Sequence, residues 1–170
     1  SYALAEHIDP YGYSVQQNSH TSCLPNIRKE EPYCFEWTAN ALDRIINDND
    51  IEVVLVSYSL AAVKPEKLEI VLEDLRVIIK KFSENEKKVY FVVQPPLLEH
   101  SIQKQILLSD SKNILGPART RWMQTNSSVY SFLKSLPKDV VILDTAKVFC
   151  DDNRCYGNDN NGCLLYTSPS

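Results

Sequence analysis

A chain of 170 residues can hold one domain with a real core but not two comfortable ones. Its apolar share of 44% and charged share of 24% are those of an ordinary globular protein. The net charge of −4 argues against a nucleic-acid partner, because a phosphate-binding surface needs an excess of Lys and Arg.

In chain order, Ala3 to Ile8 has the look of the first turns of a helix, and Tyr13-Ser14-Val15-Gln16-Gln17 alternates like a short strand. Phe35 to Asn47 predicts a helix with Trp37, Ala41, Ile45 and Ile46 near one face. Ile51 to Val56 is a β-branched run, the pattern of a buried parallel strand. Pro65 then suits the first turn of a long helix. Leu68, Val71, Leu72, Leu75, Ile78, Ile79 and Phe82 follow at steps of three and four, which makes a stripe that should pack on a sheet. The lysine pairs Lys80-Lys81 and Lys87-Lys88 flank the end of that helix, where solvated cations are favoured. Lys88 to Val93 predicts a second buried strand, stopped by Pro95-Pro96. Residues 97–117 read as a loop with a short helix. Arg119 to Leu136 predicts a helix ended by Pro137. Val140 to Leu143 predicts the last strand, with Asp144 at its end. The tail from Cys150 to Gly162 reads as irregular.

No run approaches the ~20 apolar residues of a membrane span. The first residues also lack the charged start and apolar run of a signal peptide. Cys23 and Cys34 bracket a polar, Pro-containing loop, and Cys150 and Cys155 bracket Asp151-Asp152-Asn153-Arg154. Short polar loops closed by Cys suit disulfide staples in an oxidising compartment; a zinc site or unpaired buried thiols are the alternatives. Cys163 is the odd one, either free or paired outside this chain. Asp151 and Asp152 lack the regular ligand pattern of a calcium loop, so no metal is expected there, and they read as solvated loop acids.

Strands separated by helical stretches predict an α/β fold, a flavodoxin-like parallel sheet in three α/β/α layers. Sites in such folds gather at the carboxyl ends of strands, here after Gln17, Val56, Val93 and Leu143. That edge offers His20 as an oxyanion or substrate contact, against a plain loop role. It also holds His100, whereas His7 reads as a surface residue. Tyr11, Tyr13, Tyr58 and Trp122 are candidates for exposed cleft aromatics, although core packing explains most of them equally well.

The order of features resembles the SGNH-hydrolase-like domain that follows the multi-span membrane part of acyltransferase family three proteins. Ser1-Tyr2-Ala3 is similar to the tail of that family's nucleophile motif, with Tyr2 where His is commoner. Ser22-Cys23-Leu24-Pro25 with Cys34 loosely matches its Cys-Pro turn. Val53 to Ser59 matches the strand that ends near an aromatic, with Tyr58 in the aromatic place. Val92-Val93-Gln94-Pro95-Pro96 and the Cys150 and Cys155 pair follow in the family's order. Leu165-Tyr166 precedes the place of a final Asp-x-x-His, but Ser168 stands where Asp is expected and the His would be residue 171.

The resemblance implies one SGNH-like domain over residues 1–170, cut at both ends and lacking a first, central strand. On its own such a piece should be marginally stable and show little or no activity. The implied chemistry is acyl transfer through a Ser ester, with Ser1 as nucleophile and a His as its base. Ser168 sits at the position of the usual triad Asp; it can orient the ring but carries no charge to stabilise the imidazolium. Ser57, Tyr58 and Ser59 join His20 as oxyanion or substrate candidates. The implied partners are a cell-surface carbohydrate acceptor and a membrane acyltransferase domain in the parent chain, with no nucleic acid and no cofactor. The implied place is periplasmic or extracellular, tethered to the inner membrane. Two other readings remain. One is a non-catalytic glycan-binding or docking module of the same fold. The other is a cytosolic flavodoxin-like binding or signalling domain, against which the lack of a Gly-rich phosphate loop counts.

Overall fold

The computed structural model describes residues 8–20, 23–29, 31–98, 104–105, 107 and 114–158. Its centre is a parallel sheet of β1 (Val53–Ser57), β2 (Lys88–Val93) and β4 (Val141–Asp144), in that spatial order. Val54 pairs with Val89 and Val56 with Phe91 across β1 and β2; Phe91 pairs in turn with Ile142 of β4. β2 is therefore the middle strand, and it is the most continuously apolar of the three, as a strand flanked on both edges should be.

Helix α1 (Pro32–Asn47) leads into β1, and α2 (Pro65–Glu84) crosses from β1 to β2. Both start on Pro, whose missing N–H costs nothing in a first turn. The stripe read from the sequence is the buried face of α2: Val71, Leu72, Leu75, Ile78, Ile79 and Phe82 meet Val54, Val56, Val89, Phe91 and Val93 in one core. The region expected as one helix over 119–136 is two, α3 (Arg119–Thr125) and α4 (Ser127–Lys134). The break falls at Asn126, whose side-chain amide donates back to the Trp122 carbonyl at 2.9 Å. A side chain that competes for helix backbone groups in this way favours termination. Val129 and Phe132 of α4 complete the core.

Other expectations need correction. Tyr13 to Gln17 forms no strand, because among the described residues no neighbour pairs with its backbone. The stretch around Gly116-Pro117 and the tail after Cys150 are not wholly irregular. They contain β3 (Leu115–Ala118) and β5 (Arg154–Tyr156), an antiparallel pair. Both strands are very short, and their pairing is non-local, so neither carries an alternating pattern. Gly116 is required there, since a Cβ would lie 2.9 Å from the Cys155 carbonyl oxygen. Lys87 is also not a solvated cation. It is buried, and its Nζ donates to the Asp48 carbonyl at 2.7 Å, just past the end of α1.

Helices α1, α2 and α4 share one core on one face of the sheet. The other face carries Val53, Leu55, Val141 and Leu143, all exposed, with Leu55 at 50%. Among the described residues the expected second helical layer over that face is not seen.

The two cysteine pairs are disulfides, Cys23–Cys34 and Cys150–Cys155. The first holds the loop before α1 against the core. Beyond it, buried Asp74 of α2 accepts from Arg28 Nε at 2.8 Å and, at 3.4 Å, from the Ile27 N–H. Closing 11 residues removes unfolded-chain entropy worth about 2–3 kcal/mol. Replacing both Cys23 and Cys34 by Ser is expected to lower unfolding free energy by about that amount. Denaturant melts of the two proteins measure the difference directly, and equal midpoints would show that the loop has no such role.

The second disulfide closes a loop organised by Asp151. Its carboxylate accepts from the Asn153 and Arg154 N–H groups, both at 2.7 Å, and from the Tyr156 hydroxyl at 2.7 Å. The Arg154 backbone N–H, then the Tyr156 hydroxyl, hold the Asp151 carboxyl below its ordinary value. Asp151 is thus a loop clamp rather than a merely solvated acid.

Candidate functional site

Parallel strands put all three carboxyl ends on one side of the sheet, and the loops there are tied to each other. After β1, Ser57, Tyr58 and Ser59 lead into a single 3-10 turn, Leu60–Ala62. The Ala61 N–H donates to Gln94 Oε1 at 2.8 Å, which joins the β1 loop to the residue directly after β2. The Thr145 hydroxyl donates to the Val93 carbonyl at 2.8 Å, which joins the end of β2 to the end of β4. Asp144 closes β4 as expected of a strand-end acid, accepting from the Ala146 N–H at 3.0 Å at the start of α5 (Ala146–Phe149). It also accepts from the Tyr130 hydroxyl at 3.3 Å. Burial pushes the Tyr130 phenol up, the Trp122 indole pulls it partly back, and the Asp144 carboxylate adds to the rise.

Among the sequence candidates, Ser57 and Ser59 are exposed at the end of β1. Tyr58 between them is half-buried and packs against the main core; burial raises its phenol. Trp122 is only 4% exposed and belongs to a small second core with Ala146 and Cys155, so it is not a cleft aromatic. Tyr11 and Tyr13 are exposed. Ser1, Ser168, His7, His100 and Cys163 lie outside the described residues.

His20 lies at the start of α1, where its Nε2 shares a hydrogen bond of 2.7 Å with the Tyr33 hydroxyl. Its ring meets Tyr33 and Trp37 edge-on, with centroids 5.0 and 5.7 Å apart. The start of α1 is on the same side as the strand ends, because α1 runs back to enter β1 from the opposite side. An ion pair of 3.0 Å between Glu31, just before α1, and Lys67, in the first turn of α2, fixes the two helix starts together. His20 and the Ser57–Ser59 run therefore occupy two positions on one edge.

Sequence reasoning missed Gln94 and Tyr33. Gln94 is buried, and its Nε2 has no partner among the described residues. The available signal was a polar residue set directly between a buried strand and Pro95-Pro96. Tyr33 falls in the polar loop between Cys23 and Cys34, ahead of the helix expected from Phe35, whereas the helix starts at Pro32 and makes Tyr33 and Trp37 neighbours on one face.

These elements define a parallel α/β domain, a fold in which sites collect at the carboxyl side of the strands. The family model of the SGNH domain (fused to AT3 domains) matches residues 1–168, and the chain belongs to that family. No curated protein and no solved structure matches it. The family carries acyl-transfer or esterase-type chemistry, and its AT3 fusion points to a membrane acyltransferase partner domain. The two disulfides fit an extracytoplasmic setting. Among the described residues no helix is long and apolar enough to cross a membrane.

Proposed function

We propose that this domain performs Ser-dependent O-acyl transfer, with acetyl as the acyl group, or the reverse ester hydrolysis, on cell-surface polysaccharide. The observation that carries the reading is the family match over residues 1–168; Ser1 is the residue proposed as nucleophile. A Ser hydroxyl needs a base within hydrogen-bond reach, and in this reading a His supplies it. Ser168, in the place of the usual Asp, orients that imidazole by a hydrogen bond. The domain acts periplasmically or extracellularly, beside a membrane domain of the same parent chain that delivers the acyl group. Among the residues at the strand ends, Ser57 and Ser59 supply hydroxyls near the reacting ester, and Tyr58 holds their loop against the core.

The replacement of Asp by Ser168 favours one second reading, a non-catalytic glycan-binding or docking module on the same fold. Active-site labelling separates the two. The natural protein that carries this chain, treated with a fluorophosphonate, is expected to gain one phosphonyl adduct, mapped by peptide mass spectrometry to Ser1. An unlabelled protein rejects the catalytic reading, and an adduct on a different serine removes Ser1 as the nucleophile.

A further inference from the structure

We propose that the aromatic patch at the start of α1, formed by Tyr33, Trp37 and His20, is a saccharide-stacking subsite that holds the acceptor sugar. This deepens the preceding reading by naming where the acceptor lies. Tyr33 is 66% exposed although it is a large apolar ring at the first turn of a helix. Trp37, one helical turn on, is only partly buried on the same face. His20 braces both, through its hydrogen bond to the Tyr33 hydroxyl and its edge contacts with the two rings. Two aromatic rings are thereby held in place before any ligand arrives, which lowers the ordering cost of binding.

The surroundings are polar rather than apolar. Gln17, Asn18 and Ser19 are exposed next to His20 in sequence, and Gln17 Nε2 donates to Ser19 Oγ at 3.1 Å. Glu31 and Lys67 lie beside the first turn of α1. A rigid ring with an amphipathic edge, rimmed by amide, hydroxyl and charged groups, suits a ligand with apolar C–H faces and many hydroxyls. A sugar ring has both; an apolar peptide helix would leave the polar rim unpaired. The placement also fits, because the patch shares the carboxyl edge of the sheet with Ser57 and Ser59.

The test is saturation-transfer NMR of the natural protein with two soluble probes, maltoheptaose and chitotetraose, alongside its turnover of p-nitrophenyl acetate. At least one probe is expected to receive saturation on its ring protons. Y33A should weaken that binding about tenfold, the loss of one stacked ring. Y33F keeps the ring and should bind within about twofold of the parent. Aryl acetate turnover, which needs no sugar, should be unchanged in Y33A. If neither probe binds, or if Y33A binds as well as the parent, the subsite is refuted. It is also refuted if Y33A loses aryl acetate turnover and sugar binding together, since that marks a structural role. A protein that binds the oligosaccharide through Tyr33 yet never turns over esters would uphold the subsite and remove the catalytic reading alone.

Discussion

Ser1→Ala in the natural protein is expected to lower kcat for acetyl-ester turnover by about 10³–10⁵-fold, with KM changed little. The hydroxyl forms the covalent ester, so its removal leaves only whatever rate binding and oxyanion donors supply. The lower end of the range applies because Ser168 replaces the carboxylate that would stabilise an imidazolium, so the parent rate itself starts lower. Steady-state kinetics on p-nitrophenyl acetate reads the effect. Turnover that survived the substitution would take Ser1 out of the mechanism and, because the protein would still cleave esters, would count against the non-catalytic module as well.

The second large effect concerns stability. Phe91→Ala should cost about 3–5 kcal/mol of unfolding free energy. Phe91 is fully buried at the middle of the middle strand, with Val56 on one side in register and Ile142 on the other. Its ring meets Phe132 of α4 edge-on at 5.7 Å, so it joins the sheet to the helical layer as well. Neighbouring strands hold the backbone in place, so the cavity cannot collapse around the lost ring. For a chain of this size the loss corresponds to a fall in melting temperature of roughly 6–20 °C. A thermal melt by circular dichroism measures it; a shift within about 2 °C would mean that this core is far looser than its burial implies.

The candidate edge was only partly legible. Position along the chain was enough to place Ser57, Tyr58 and Ser59, since a buried β-branched run must end somewhere and its carboxyl end is where sites collect. His20 was also assigned to that edge, but for the wrong local reason: no strand precedes it, and α1 with Tyr33 and Trp37 positions it instead. Of Trp122 and Tyr33, only the first was a cleft candidate from the sequence, with core packing as its alternative. The indole on α3 is buried in a satellite core, while the tyrosine on α1 is in solvent. Hydropathy cannot separate the two, because both are aromatic residues near helix ends. Only the orientation of each helix on the sheet tells them apart.

The sequence by itself determined the parallel α/β architecture, the stripe of α2, the two buried strands around Val54 and Phe91, and the two cysteine clamps. These are local signals: periodicities of two or three to four residues, Pro at helix starts, and Cys pairs a few residues apart. The tertiary structure alone decided what depends on long-range pairing. It gave the β3–β5 pair around Gly116 and Cys155. It drew Lys87 inward to the end of α1, and Gln94 to the loop after β1. It brought His20 to the rings of α1. Each of these joins residues far apart in the chain, and no short window of sequence records which distant backbone group will satisfy a buried donor or cover an apolar face.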